Sequence, residues 1–317
     1  MRATPILLIA LILAVPRAAW PVDIFVSNTA GSDISTGRQP CSMPDKSGPV
    51  RTITRALELA RPGDRIVLEN TGEPYRESIT LMGVRHSGYA LGDFVIEGNG
   101  AVLDGTRPVP AEAWVHDRGS VFRFSPPWKA CQQLFLQDRP AVRVLADPSA
   151  GQPPELEPLQ WCLYRGTIYF CAQGQKSPAD YPLRYAHHRV GISVLWASRV
   201  EIRDLVVQGF QLDGINVHTS ARHITLTGVV LRGNGRAGLC VGGNTLVSVR
   251  DSLIGDNGEA QMLALPYSET RFRNTRLLGN TAPAVVHQGG RVYFDGKPVE
   301  GGLDEYIPPS MGGQGEE

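Results

Sequence analysis

The sequence predicts an all-β chain folded as a single-stranded right-handed parallel β-helix, a solenoid with three strands in each coil of about 23 residues. Three observations predict it. A segment that begins at Val200 recurs at Ile224, Val247 and Thr270, at offsets of 24, 23 and 23 residues. Within each repeat, apolar and polar residues alternate with the period of a β-strand. Between residues 190 and 290, no segment keeps the apolar spacing of an amphipathic helix.

Apolar residues stand at matched places in successive repeats, and we expect them to fill a continuous interior between stacked coils. They form three sets: Ile202, Leu226, Val249 and Phe272; Val207, Leu231, Ile254 and Leu277; and Ile192, Ile215, Leu239, Met262 and Val285. The residues that alternate with them point outward.

Two corners of the repeat carry polar residues at matched places. One corner holds Asp204, Gly228, Asp251 and Asn274. These residue types tolerate a left-handed backbone, so we expect positive φ there. The other corner holds Asn234, Asn257 and Asn280, and it predicts side-chain amides that bond one another between coils.

Residues 1–20 predict a signal peptide, because Arg2 precedes an uncharged apolar run from Ile6 to Val15. The run is short for a bilayer span, so we expect a cleaved leader and a secreted, periplasmic or extracellular protein with no stable membrane span. One β-helix domain is expected at residues 21–290, with the most regular coils at 189–288. Residues 291–317 are expected to form a short cap and a disordered tail.

The beginning of the predicted domain resembles a known group. The segments are Phe25-Val-Ser-Asn-Thr-Ala-Gly-Ser-Asp, the stretch from Arg51 to Asp64 followed by Arg65-Ile-Val-Leu, and the stretch from Phe94 to Gly105. They resemble the first coils of the pectate-lyase-like superfamily of right-handed β-helices. The resemblance implies a capping helix at residues 50–61. Its apolar stripe, Ile53, Ala56, Leu57 and Ala60, suits a plug on the open end of the core.

A stretch of less regular sequence, residues 105–175, predicts a lateral excursion from the coil path. Its segment Trp161–Cys171 predicts a β-hairpin that turns at Arg165-Gly166, with Cys162 and Cys171 diagonal to each other. Whether these two cysteines form a disulfide stays open. The tryptophans of the chain are able to stack on sugars, but packing in the core or hairpin is the commoner fate.

The composition and one short motif bear on which classes of ligand the chain is able to bind. The 31 basic and 31 acidic residues balance, which removes the basic footprint of a nucleic-acid-binding protein. The chain has only four lysines, and none lies in the regular coils. Gly233-Asn-Gly-Arg-Ala-Gly238 has the spelling of a dinucleotide motif, but it leads into a strand rather than a helix, so it predicts no cofactor site.

The candidate site lies on one outward strand face, where Asp213, Asn216 and His218 converge. Asp213 and His218 are predicted as acid and base, or Asp213 as a carboxylate that holds a cation for a uronate substrate. Arg189, about one coil earlier, is the third predicted catalytic residue. Asn216 and Arg236 are predicted to bind substrate. The competing interpretation is a turn at Asp213-Gly214 beside a solvated histidine.

The resemblance implies carbohydrate chemistry, but specific catalytic patterns are missing. Polygalacturonase-like hydrolysis needs a second pair of aspartates where this chain has Arg236-Ala-Gly-Leu. Lyase chemistry needs a base and a positive group beside a uronate, and only arginines offer the positive charge in these coils.

We therefore expect a β-helix that acts on or binds polysaccharide, as a lyase or hydrolase of acidic glycans. The alternative is a non-catalytic scaffold that binds glycan or protein. No cofactor or metal ligand set is predicted, Ca²⁺ stays open, and a monomer is expected.

Overall fold

The computed structural model describes residues 21–309, except Leu91 and Lys129. The predicted signal peptide and the end of the tail lie outside this range. Among the described residues, no helix is long and apolar enough to cross a membrane.

The chain before the lateral excursion forms β1 (Asp23–Val26), α1 (Ile53–Leu59), β2 (Arg65–Leu68), β3 (Ile79–Met82) and β4 (Phe94–Asp104). The excursion forms β5 (Thr106–Pro108), β6 (Val115–Arg118), β7 (Val121–Phe124), β8 (Leu134–Leu136), β9 (Arg139–Pro140), β10 (Trp161–Tyr164), β11 (Thr167–Cys171) and β12 (Leu183–Ala186). Three short 3-10 turns lie at Val84–His86, Ala111–Ala113 and Pro178–Asp180.

The regular coils form β13 (Ile192–Leu195), β14 (Ser198–Gln208), β15 (Asp213–His218), β16 (Arg222–Thr227), β17 (Val230–Arg232), β18 (Ala237–Val241), β19 (Thr245–Arg250), β20 (Leu253–Gly255), β21 (Ala260–Ala264), β22 (Ser268–Arg273), β23 (Arg276–Leu277) and β24 (Val285–His287). The chain then forms β25 (Arg291–Phe294) and β26 (Lys297–Val299).

The regular coils stack as a parallel β-helix, as predicted. Sheet 1 has six strands in the order β24-β21-β18-β15-β13-β3, and sheet 2 has twelve, including β4, β14, β16, β19, β22 and the branch β17-β20-β23. One coil therefore contributes three strands, for example β15, β16 and β17. In sheet 1, Ile192, Ile215, Leu239, Met262 and Val285 pair each with the next, so successive rungs lie 23 or 24 residues apart.

The interior is apolar and dry because the period-two alternation sends one side chain of each pair inward. The three apolar sets of the repeat are at most 2% exposed and belong to one continuous core. This confirms the inward residues that the sequence predicts.

Both polar corners also form. Asp204, Gly228, Asp251 and Asn274 all have φ between 47° and 63°, the left-handed conformation expected there. At the other corner, Asn234 and Asn257 are buried, and the Asn234 Nδ2 donates to Asn257 Oδ1 at 3.0 Å. Asn280 does not continue this row of amide–amide hydrogen bonds. Its side chain is exposed and bonds Asp256 instead.

Both ends of the core are covered. Helix α1 is capped by Thr52, whose side chain accepts from the Arg55 amide, and it buries Ile53, Ala56 and Leu57 against the first coil. At the other end, β26 runs antiparallel to β25, and the Tyr306 ring stacks on Phe294 with centroids 4.0 Å apart. The described part of the tail thus extends the cap as far as residue 309.

The lateral excursion folds into two four-stranded antiparallel sheets with apolar clusters of their own. The predicted hairpin is β10 and β11, and it turns at Arg165 and Gly166, both with positive φ. Cys162 pairs in register with Tyr169 rather than with Cys171, and all five cysteines are free.

The buried imidazole of His86 joins α1 to β3, the first strand of sheet 1. Its Nδ1 accepts from the Met82 amide at 3.0 Å, and its Nε2 lies 3.1 Å from the Leu57 carbonyl, to which it donates. This pattern requires a neutral ring, and burial lowers the pKa of His86 from its usual 6.5. A lowered histidine pKa means that the unfolded chain binds more protons, so stability falls as pH drops below about 6.5.

We expect the free energy of unfolding to be lower at pH 5.5 than at pH 7.5, and the difference to shrink in the His86→Gln variant. Urea unfolding at both pH values measures these free energies. Comparing the wild type with His86→Gln cancels the pH dependence that the other histidines contribute. An unchanged difference would show that His86 does not carry the effect.

Candidate functional site

The centre of the candidate site is the carboxylate of Asp213 at the start of β15. This side chain is fully buried. Arg236, at the same corner one rung later, donates to it from Nε at 2.9 Å and from Nη2 at 2.6 Å. Asn216 Nδ2 donates to the same carboxylate at 2.6 Å. Three charge-assisted hydrogen bonds therefore hold Asp213 in one place.

Arg236 and His218 meet at a buried thiol. Cys240 pairs in register with Asn216 on the outer face of sheet 1. Its Sγ lies 3.9 Å from Arg236 Nη2 and 3.7 Å from His218 Nε2. Burial raises the pKa of Cys240 to about 12, with Asp213 adding to the shift, so the thiol stays protonated at neutral pH. It acts here as a neutral spacer between a guanidinium and an imidazole.

Arg236 and His218 differ in charge at neutral pH. Hydrogen bonding to Asp213 raises the pKa of Arg236, so this group is permanently positive. Burial lowers the pKa of His218 from 6.5, with Arg236 adding to the shift, so its half-exposed ring is neutral at pH 7. The pair offers a fixed positive charge and a neutral base.

The structure brings Asp213, Asn216, His218 and Arg236 together, four of the five residues predicted from sequence. Arg189 is exposed at the preceding corner, and its side chain forms no hydrogen bond or ion pair within the described residues. Its carbonyl accepts from the Leu212 amide, which is a contact between coils. The predicted roles of all five residues stay predictions.

A buried carboxylate with all its strong donors from protein is poorly placed to protonate a glycosidic oxygen. Because Asp213 accepts three hydrogen bonds from Arg236 and Asn216, few of its lone pairs remain to coordinate Ca²⁺. In residues 21–309, Leu91 and Lys129 aside, no three His, Cys, Asp or Glu side chains are grouped to hold a metal ion.

The outer face of sheet 1 becomes apolar and covered beyond this cluster. Cys240 and Leu263 are at most 7% exposed and pack with Ala237 and Ala260. The polar side chains described on this face include Thr80, Ser193, Asn216 and His218.

Beside sheet 1, the corner that leads into sheet 2 presents exposed aromatic rings. Trp196 is 57% exposed and Tyr267 is 86% exposed. Backbone bonds join these corners in order: Trp196 N to Thr219 O, Ser220 N to Gly243 O, and Gly243 N to Pro266 O. The two rings lie three rungs apart, which is about 14 Å along the solenoid. The sequence left two fates open for the tryptophans, packing in the core or hairpin and stacking on sugars. Trp196 is exposed rather than packed, and so is Trp128, at 65%.

Both corner aromatics have left-handed backbones. φ is 52° at Trp196 and 62° at Tyr267, whereas the intervening corners use Thr219, Ser220, Gly243 and Asn244. A bulky residue at positive φ costs roughly 1–3 kcal/mol, whatever its role. Exposed rings in strained positions contribute little packing, so their presence points to a ligand.

A cleft of about 280 Å³ lies next to Tyr267. Its polar side chains include Asn244, Ser268 and Arg222, and Arg222 Nη2 donates to Asn244 Oδ1 at 2.8 Å. An aromatic surface beside convergent hydrogen-bonding groups is typical of a site for a polar ring.

A broader surface on sheet 2 carries several arginines that sequence reasoning also missed. Arg250 and Arg273 are paired in register, and with Arg271 they line a cleft of about 650 Å³. The signal for this surface was present, since Arg250 and Arg273 stand at matched places in the repeat. Adjacent guanidinium groups on one sheet repel each other and favour an anionic neighbour.

No protein-family profile matches the chain, and no curated protein matches it. Among solved structures, the chain is similar to XylC in complex with xylose, at 13% identity and a TM-score of 0.42, over 86% of this chain and 70% of that one.

The chain is also similar to the pectate lyase Pel9A, at 11% identity and a TM-score of 0.41, over 80% of this chain and 52% of that one. A third similarity is to a GH136 lacto-N-biosidase from Eubacterium ramulus, at 11% identity and a TM-score of 0.35, over 86% of this chain and 56% of that one. The chain spans about half the length of these two enzymes. Its own parallel ladders and three-strand coils establish the architecture: the chain is a parallel β-helix.

Proposed function

We propose that the protein binds a polysaccharide chain along the corner between sheet 1 and sheet 2. The observation that carries the proposal is the pair of exposed rings at Trp196 and Tyr267, which lie at the same corner of the coil and at strained backbone positions. Sugar rings stack on exposed aromatic side chains, and a run of rungs offers such surfaces at fixed intervals. A spacing of about 14 Å suits a chain of several sugar units rather than a single one.

Polar groups beside the rings give the proposed groove its selectivity. The cleft at Tyr267 offers amide, hydroxyl and guanidinium donors. The arginines of sheet 2 add positive charge nearby, which favours an acidic polysaccharide over a neutral one. The proposal includes export from the cytoplasm, which the apolar run from Ile6 to Val15 supports.

We expect the Tyr267→Asn and Trp196→Asn variants each to bind acidic polysaccharide at least tenfold more weakly, since each loses a stacking surface of about 1.4 kcal/mol or more. Asparagine tolerates a left-handed backbone, so both variants should melt at or above the wild-type temperature. Affinity electrophoresis against polygalacturonate and against neutral galactan measures the binding.

Ile34→Ala is the matched control, because Ile34 is 71% exposed in the N-terminal region and lies outside the corner. Its affinity should equal that of the wild type. Equal affinities for all three variants would overturn the proposed groove. Weak binding of every polysaccharide by folded wild-type protein would do the same.

A second candidate function is β-elimination at the Asp213 cluster. The observation that favours it is the neutral imidazole of His218 on one side of Cys240 and the permanent charge of Arg236 on the other. β-Elimination of a uronate needs a base for the proton and a positive group for the carboxylate, and these two groups match those roles. Formation of unsaturated products, lost in His218→Ala but kept in Tyr267→Asn on short substrates, would support this function. Absence of such products favours binding alone.

A further inference from the structure

The lateral excursion holds an arginine with no partner. Arg143 pairs by a backbone bridge with Trp161, and its guanidinium lies over the Trp161 ring, 5.3 Å from the centroid. The Nε and Nη1 atoms are buried, and neither has a hydrogen-bond partner. No carboxylate among the described residues lies within 4 Å of this guanidinium.

An unpaired, partly desolvated guanidinium is costly. Burial lowers the pKa of Arg143, because it penalises the charged form. Glu259 is the acidic group that most nearly offsets it, yet its carboxylate accepts from the Cys131 thiol at 3.1 Å instead. A buried charge of this kind is normally paired, so the position calls for an anion from outside the chain.

Arg143 also lines a cavity of suitable size, and Nη2 is the guanidinium nitrogen left to contact a ligand there, because Nε and Nη1 are buried. Arg143 lines a space of about 180 Å³ between the excursion and the corners that precede β21 and β24. Its other polar lining groups include Gln133, Asp256, Asn280 and Thr281. The volume equals about six water molecules, which suits one monosaccharide and excludes a longer chain within the cavity.

The charges of the lining define the ligand class. The Nη2 group of Arg143 provides charged donors for one carboxylate. Asp256 is itself negative, and its Oδ1 is held by Asn280 Nδ2 at 2.7 Å, so it disfavours a second anionic group and accepts a hydroxyl instead. Amide and hydroxyl side chains complete a set that matches a ring with one carboxylate and several hydroxyls.

We propose that this cavity is a binding site for a single uronic acid unit, with the sugar carboxylate on Arg143. The site shares no residue with the groove at Trp196 and Tyr267, so it does not depend on the function proposed above. The uronate comes either as a free sugar acid or as the end unit of an acidic glycan.

The test measures binding of D-galacturonate, D-galactose and acetate to the whole protein. Calorimetry gives the affinities, and thermal shift gives the stabilisation by each ligand. Wild-type protein should bind galacturonate at least tenfold more tightly than galactose, which lacks the carboxylate, and more tightly than acetate, which lacks the ring. Comparison of galacturonate with trigalacturonate distinguishes the two sources, because only an accessible chain end lets the trimer bind equally well.

Arg143→Met keeps packing on Trp161 and removes the charge. We expect it to lose galacturonate binding by at least tenfold and, without ligand, to melt at or above the wild-type temperature. Ala141→Leu is a second variant, since Ala141 lines the cavity and a larger side chain fills it while the charge stays. It should also abolish binding.

The Trp196→Asn/Tyr267→Asn double variant should bind galacturonate as the wild type does, which separates this site from the groove. Equal affinity for galactose and galacturonate, undiminished binding by Arg143→Met, or no binding by the wild type at millimolar concentration would each overturn the inference. A large drop in melting temperature for Arg143→Met without ligand would assign Arg143 a structural role instead.

Discussion

The Arg236→Met variant is expected to be less stable than the wild type by about 3–5 kcal/mol. The reason is the environment of Asp213, whose side chain is fully buried and receives two of its three strong hydrogen bonds from Arg236. Methionine preserves much of the apolar contact of the arginine stem but leaves a buried carboxylate with only Asn216 as donor. Water can enter where the arginine head was 30% exposed, so the lower end of the range is the better expectation.

The Arg203→Met variant is the matched control. Arg203 pairs with Glu97 on the outer face of sheet 2, where 36% of the arginine side chain is exposed. Exposed pairs of this kind are worth about 1 kcal/mol or less. Urea unfolding of both variants measures the contrast. Asp213→Asn in the Arg236→Met background should recover part of the lost stability, because it removes the uncompensated charge. Equal, small losses for Arg203→Met and Arg236→Met would mean that Asp213 is solvated.

The stability of this pair bears on the predicted chemistry. A carboxylate that needs Arg236 to remain buried contributes mainly by fixing the guanidinium beside His218. Asp213 is then a positioning group for Arg236, and the groups able to contact a substrate are the half-exposed ones. For the proposed β-elimination, His218 and Arg236 are therefore the groups placed to contact a substrate, rather than the acid that the sequence made prominent.

The solenoid could be predicted from sequence because its period is set by stacking. Each rung must place an apolar residue directly over the one before, so Ile215, Leu239 and Met262 recur at nearly constant intervals. The left-handed corner is equally constrained, since Asp204, Gly228 and Asp251 are residue types that tolerate positive φ. The stacked apolar positions and the left-handed corner are therefore both predictable from the spacing of residue types alone.

The site could be predicted only in part. Period-two alternation identifies which side chains leave the core, but not what covers them, so Asp213 and Cys240 gave no sign in the sequence of being buried. Tyr267 was detectable in principle, because it occupies the corner at which Trp196 stands three coils earlier. Arg143 was not, since it lies in the excursion, where no repeat fixes its neighbours.

The Asn257→Ala variant is expected to lose about 3 kcal/mol of stability, because the fully buried Asn257 side chain bonds both the preceding coil and its own coil. Its Nδ2 donates to Leu231 O, Gly255 O and Gln261 Oε1 at 2.8 to 3.1 Å. Its Oδ1 accepts from the backbone and side-chain nitrogens of Asn234, both at 3.0 Å. Alanine leaves these partners buried and unsatisfied, and each such group costs about 1–3 kcal/mol before relaxation.

Asn280→Ala is the matched control, since it is the same substitution at the same corner one rung later. Asn280 is exposed and bonds only Asp256, so its loss should cost less than about 1 kcal/mol. Chemical unfolding of the two variants compares them directly. Similar losses would show that water replaces the ladder inside the corner. A large loss confined to Asn257 would mean that buried amides hold the coils in register where the apolar interior, which tolerates sliding between similar side chains, does not.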